Sequence, residues 1–262
     1  MDTKLIRNLL QTLHSNTQQS PIAGSLPLMV GDSICGNVSP TAAQVLIKKN
    51  PRLVSDSCIR LDRTEVLSAE FEKMANCLFE AGCIPKWRNE LLDVWQDDLS
   101  IAAIERGAVR PLGLLTRAVH LNAYSPDGKL WVARRALDKP TDPGMWDTLV
   151  GGLIGYREPS DLALARESLE EAGLSPEQIT QREPITCIYR MKRQVPEGFQ
   201  CEDVLTSDCI LADGTVPANQ DGEVMEIACL DVDTIQQMLL DDAFTIEASI
   251  VISQSLLTRA QH

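Results

Sequence analysis

The sequence predicts an α+β protein built as two units, a smaller N-terminal one followed by a larger one in which helices cover a mixed sheet. Three observations lead there. A chain of 262 residues with 44% hydrophobic side chains sits between one large domain and two small ones, and can bury a substantial core. Hairpin signals alternate with helical periodicity, without the regular strand-helix-strand rhythm of a dinucleotide fold. The stretch before Arg110-Pro111 carries strands and helices of its own, enough for a domain, which sets the expected units at 1–110 and 111–262.

Along the chain, Leu5, Ile6, Leu9, Leu10 and Leu13 repeat at the spacing of an amphipathic helix over residues 3–14, which should dock on the body or on a partner. PLMVGDSICGNV (27–38) reads as two strands around a Gly31-Asp32 turn, and Ser39 with Pro40 opens a helix as cap and first turn. A strand at 57–61 precedes a long helix at 63–81, ended by Gly82 and followed by Pro85. In the second unit, LLTRAVHLNAYSPDGKLWVARRA holds two β-rich runs joined by the Ser125-Pro126-Asp127-Gly128 turn. TDPGMWDTLVGG supplies turn residues and a short strand before a helix at 161–172. Strands follow at 185–190, 204–211 and 224–230, and helices at 234–240 and 246–258.

Charge narrows the function. The 24 Lys and Arg against 37 Asp and Glu give a net charge of -13, which repels a polyphosphate backbone and argues against nucleic-acid partners. An anionic small molecule would need local cations or a metal ion at its site. No run of about 18 apolar residues suggests a membrane span, and the N-terminus is too polar for a signal-peptide core, so the expected compartment is cytoplasmic. The eight cysteines form no C-x-x-C pair, which points to free, mostly buried thiols, and His14 and His120 read as structural. Oligomeric state is not legible.

The chemistry is concentrated between Gly152 and Leu174. At about 100° per residue, Glu167, Glu170 and Glu171 share one helical face, and Leu162, Ala165, Leu169 and Ala172 lie opposite. The expectation is a helix that packs on the sheet through those apolar residues and presents its acids outward, with Ser160 as N-cap and Gly173 as the left-handed terminator. Like charges at these spacings cost roughly 0.2 to 0.5 kcal/mol per pair, so something should compensate them. A bare acidic face would be neutralised by Arg166 and salt. The glycine-rich loop ahead of the helix, Glu158 and the Arg166-Glu167 pair favour a hard divalent cation instead. Neither Gly128-Lys129 nor GGLIG matches the glycine patterns of other phosphate loops.

These 23 residues resemble the Nudix box, G-x5-E-x7-R-E-U-x-E-E-x-G-U, where U is bulky and apolar; the one departure is Ser168 at the first U. The flanks LWVARRALDKPTDPGMWDTLVGG, EGFQCED and QDGEV, and the N-terminal unit, resemble the Nudix subgroup related to the region fused to thiamine pyrophosphokinase in some fungi. The resemblance implies a Nudix α/β/α sandwich with a mixed sheet after the smaller α+β domain. It also implies that Glu167, Glu170, Glu171 and the Gly151 carbonyl hold Mg²⁺ or Mn²⁺, with Glu158 and Arg166 orienting them. The reaction implied is hydrolysis of a small-molecule organic diphosphate, with a box glutamate, Glu202 or Glu223 as general base. Arg134, Arg135 and Lys139 are candidates for the phosphates, though at most one of the two arginines should face the site because neighbours alternate along a strand. Trp146 and Tyr156 are candidates to stack on the organic group. Thiamine-type diphosphates are the expected substrate, partly because the acidic field favours a cationic organic end. Nucleotide derivatives such as ADP-ribose are the alternative. A non-catalytic ligand sensor on the same scaffold is the reading from another class. Isopentenyl-diphosphate isomerisation is disfavoured, because no cysteine lies between Cys83 and Cys187.

Overall fold

The computed structural model describes residues 1–55, 57–139, 141–220 and 222–261. Pro140 and Asp221, which belong to two of the flanking segments above, lie outside the described residues.

The chain opens with α1 (Thr3–Asn16), capped by Asp2, which accepts from the Lys4 and Leu5 amides. Then β1 (Leu26–Val30) and β2 (Ser33–Val38) pair antiparallel through the expected turn at Gly31. Ser39 caps α2 (Pro40–Lys49) by accepting from the Ala42 amide. A short β3 (Val54–Ser55) pairs with β4 (Cys58–Leu61), which runs parallel to β1 and completes a four-stranded sheet in the order β2-β1-β4-β3. α3 (Leu67–Glu80) shares a core with this sheet, with Phe71 and Leu78 fully buried, and it starts later than the periodicity suggested. Gly82 follows it at φ 76°, as expected of a helix terminator.

The hairpin of β5 (Leu91–Gln96) and β6 (Leu99–Glu105) was not anticipated. Its alternation is hidden by a bulge at Val94/Trp95 and by Asp93, an acid buried in the middle of a strand. Ser100 donates to one oxygen of Asp93, and the backbone amide of Arg157 to the other at 3.2 Å.

After a short α4 (Val109–Leu112), β7 (Leu115–Tyr124) and β8 (Leu130–Arg135) form the predicted hairpin, with Gly128 at φ 85°. β9 (Trp146–Thr148) joins β8, and β10 (Val150–Leu153) joins β7. The box helix is α5 (Ser160–Ala172). β11 (Thr186–Val195), β12 (Gly198–Ile210) and β13 (Val224–Leu230) complete a seven-stranded mixed sheet ordered β11-β12-β7-β8-β13, in which β12 runs parallel to β7. α6 (Val232–Leu240) and α7 (Ile246–Arg259) cover one face, and α5 packs on β10 and β7. The expected class therefore stands: a mixed sheet between helices, preceded by a smaller α+β unit.

α1 packs against α7, in the core of the second unit, through Ile6 and Leu10. The units meet without slack. A Cβ on Gly113 would lie 2.4 Å from the Asn37 carbonyl oxygen, and one on Gly198 would lie 2.3 Å from that of Arg110. All eight cysteines are free thiols, and no described helix is long and apolar enough to cross a membrane.

Candidate active site

The loop leading into α5 is held from both units. Glu158 accepts from the Gly155 amide at 2.8 Å, the Tyr156 amide donates to the Leu91 carbonyl at 2.8 Å, and Arg157 takes φ 55° with its amide on Asp93. Pro159 occupies the cap position and Ser160 is the first helical residue, with no side-chain cap bond, contrary to the expectation for Ser160. Gly173 ends the helix at φ 62°.

α5 is turned from the expected setting: Ala172 packs and Glu170 stays exposed as expected, but Leu162, Leu169 and Glu171 change places. Leu162 and Leu169 are exposed, whereas Ala163, Leu164, Ser168, Glu171 and Ala172 are buried. The helix lies with its acids over the glycines of β10, because a strand without side chains lets carboxylates approach its backbone. Ser168 is completely buried, and its hydroxyl has no hydrogen-bond partner among the described residues.

The Gly151 amide donates to Glu171 Oε2 at 2.9 Å, and burial pushes the Glu171 carboxyl up to about 8 against the pull of that bond. Burial also raises Glu167, opposed by the charge of Arg166. Arg166 is the hub. It donates in a fork to Glu158 at 2.9 and 3.0 Å, to Glu167 at 2.7 Å, to Glu170 at 3.2 Å and to the Leu153 carbonyl at 3.3 Å. Those bonds hold Glu158 below the usual carboxylate range. Glu170 is half-exposed at the edge of the cluster. With a guanidinium threaded through the acids, no three His, Cys, Asp or Glu side chains among the described residues already converge as a cation site.

Of the two arginines on β8, Arg135 faces this cluster and Arg134 does not, as strand alternation requires. Arg135 pairs with Asp147 at 2.9 Å and donates to the Thr141 carbonyl. Lys139 donates to Glu223. Partial burial works to raise Glu223, but Lys139, with Arg106 and Arg135, holds it below its ordinary value. Arg135, Lys139 and Glu223 form the wall shared by the small recess beside Gly151 and Glu171 and a larger cavity of about 220 Å³ between the units. Glu202 lines that cavity but is buried, accepts from Thr116 at 2.7 Å and Gln200 at 3.2 Å, and is raised first by burial and then by neighbouring Glu247. Arg134 lies over Trp146 at 5.9 Å and near Glu226 at 3.6 Å. Trp146 packs into the core under α6 and α7, and Tyr156 lies under the Arg157 guanidinium, so neither aromatic ring lines the cavity.

His120, beneath Gly151, bonds to the Thr148 hydroxyl at 3.1 Å through Nδ1, and burial lowers its pKa. Its place in the core agrees with a structural role. Sequence reasoning missed Asp93, Asp147 and the cations of the first unit. The sequence carried no signal for any of them, since only the fold buries Asp93 and brings the others together.

Residues 114–250 match the NUDIX domain family. Among curated relatives, Nudix hydrolase 24, chloroplastic, of Arabidopsis thaliana is 32% identical over 190 residues, 70% of this chain and 52% of that protein. Nudix hydrolase 20, chloroplastic, of the same plant is 30% identical over 188 residues, 70% of this chain and 49% of that protein. The chain thus spans about half the length of these two relatives. A solved structure from Deinococcus radiodurans is 21% identical, covers 66% of this chain and 100% of its own, and superposes with a TM-score of 0.47. With the box residues assembled at the junction of β10 and α5, and the family match spanning the sheet that carries them, this chain belongs to the NUDIX domain family.

Proposed function

We propose that this protein is a divalent-metal-dependent hydrolase of an organic diphosphate. The carrying observation is that Glu171 of the box and the Arg135-Lys139-Glu223 wall, separate in sequence, border one small recess, and that the same wall lines the larger cavity. The donor set fits Mg²⁺ or Mn²⁺: Glu167 and Glu171 are hard carboxylate oxygens whose burial raises both, as expected where positive charge is wanting. Glu167, Glu170, Glu171 and the Gly151 carbonyl would hold the ion, which supplies charge to phosphate oxygens and acidifies water.

The remaining roles belong to the protein. Arg135 and Lys139 bind the diphosphate, each kept in place by a carboxylate partner. Arg166 and Glu158 orient the acids. Glu223, kept deprotonated by its cationic neighbours, accepts the proton of the attacking water. Water oxygen bonds to one phosphorus, the anhydride bond breaks, and two phosphate-bearing products leave. Glu202, buried and doubly bonded, is placed to position Thr116 and Gln200 rather than to take that proton.

Thiamine-type diphosphates remain the subgroup's implied substrate, and ADP-ribose the alternative. Trp146 contributes no wall to the cavity, so the thiamine reading rests on the subgroup resemblance rather than on stacking. Chromatographic product analysis with Mg²⁺ on a panel holding both compounds tests the proposal: cleavage of at least one, lost in Glu171→Gln, is the expected result. Binding without cleavage of any member would make the protein a ligand sensor. A cytoplasmic location is part of the same proposal, although the two plant relatives are named as chloroplastic.

A further inference from the structure

The cavity between the units is cationic in a protein of net charge -13. Besides Arg135 and Lys139, its lining includes Lys86, Arg88, Arg106 and Arg110, all from the first unit, against the acids Glu197, Glu202 and Glu223. Most of these cations are already matched. Arg106 lies 2.7 Å from Glu90, Arg110 lies 3.8 Å from Glu197, Arg135 pairs with Asp147, and Lys139 with Glu223. Lys86 and Arg88 are different: neither side chain forms an ion pair or hydrogen bond with any described residue, although both line the cavity.

The loop carrying them is rigidly built. The carboxylate of Glu105, which is 3% exposed, accepts from the Arg88 amide at 2.6 Å and from the Gly107 amide at 3.3 Å, tying residues 86–88 to the turn after β6. Gly107 sits so close that a Cβ there would lie 2.9 Å from the Lys86 carbonyl oxygen. Burying a carboxylate solely to hold two backbone amides is costly, and it fixes where the Lys86 and Arg88 side chains originate. Two unpaired cations on a fixed loop, across a cavity from the diphosphate-binding wall, form a receptor for negative charge.

We propose that the first unit is the specificity wall of the active site: Lys86 and Arg88 bind an anionic group on the organic part of the substrate, separate from the diphosphate that is cleaved. The substrate class is therefore an organic diphosphate bearing a further phosphate or carboxylate, which neither thiamine diphosphate nor ADP-ribose carries, so on this inference both would be poorer substrates than such a compound. This inference rests on the hydrolase reading for the location of the diphosphate.

Matched pairs test it, each differing by one phosphate monoester remote from the diphosphate: coenzyme A with dephospho-coenzyme A, and NADPH with NADH. Equilibrium binding to the full chain in EDTA, where no turnover occurs, should favour the phosphorylated member of at least one pair by at least about tenfold. Raising salt should shrink that ratio, and in the double variant Lys86→Gln/Arg88→Gln, checked for an unchanged melting temperature, it should fall to within about twofold. Equal affinities in both pairs, or a preference that survives the double variant, would overturn the inference. Turnover with Mg²⁺ is read separately. Cleavage of both members bound with equal affinity overturns the specificity wall and leaves the hydrolase standing; a salt-sensitive preference without any cleavage does the reverse.

Discussion

The carboxyl carbon of Glu167 occupies the space that a side chain on Gly152 would need: a Cβ built there lies 2.1 Å from it. Two positions 15 apart in sequence thus share one volume, and the glycine is what lets the acid reach the strand.

Gly152→Ala should therefore act on Glu167 rather than on the backbone, since Gly152 is not among the residues at positive φ. We expect kcat to fall at least about a hundredfold, the scale of losing one preorganised charged group, with a stability loss of about 1 to 3 kcal/mol from overpacking. Steady-state kinetics beside thermal melts checks both, and near-normal turnover would mean that Glu167 lies outside the reaction.

Glu171→Gln and Glu170→Gln should each lower turnover at least about a hundredfold while leaving the fold intact. Glu171 carries a further signature in the metal-free protein. Glu171 has a folded pKa of about 8 against an ordinary value of 4.5, so between these values the folded state holds a proton that the unfolded state has released. Its contribution to stability is fully present below pH 4.5 and is lost as pH rises toward 8. In EDTA, Glu171→Gln should thus gain stability relative to the parent from pH 5 to 9, on the order of a few kcal/mol. Parallel melting curves for Glu171→Gln and the parent across that range would contradict the burial argument.

Arg166→Lys keeps the charge but cannot reproduce the fork to Glu158 together with the bonds to Glu167 and Glu170. Turnover should drop by roughly ten- to a hundredfold, with a weaker apparent affinity for Mg²⁺, since mutation of supporting partners typically costs that much. A Mg²⁺ titration of rate against the parent reads both effects.

Mass spectrometry of unreduced, alkylated protein should find eight free thiols. Cys187 is the exposed one, and it should label first under native conditions, yet slowly at pH 8, because partial burial and then Asp203 raise its thiol above the ordinary value. Two or more native disulfides would contradict the free-thiol arrangement.

Much of this was legible in the chain because it is local. The Ser125–Gly128 turn, the Ser39 cap and the Gly173 terminator are dictated by a few neighbouring residues, and the box carries its acids at fixed spacing. The face of α5 was not legible. Periodicity sees that Leu162 and Leu169 are apolar and cannot see that β10 offers a side-chain-free surface to Glu167 and Glu171. The β5–β6 hairpin was hidden for a related reason: Asp93 looks like a surface acid until Arg157, 64 residues later, supplies its partner. Arg134 and Arg135 could be told apart only as a pair, one inward and one outward, until the sheet set the sense.

The seat of α1 on α7 ties the first residues of the chain to its last helix. A fragment beginning at residue 111 would uncover the apolar surface that Ile6 and Leu10 roof, and would lose the contacts of Asp2 with Gln236 and of His14 with Tyr189. A fragment ending at 110 would carry the same helix with nothing to cover. The first helix thus clasps the C-terminal one across the whole length of the chain, so neither fragment keeps its own core covered.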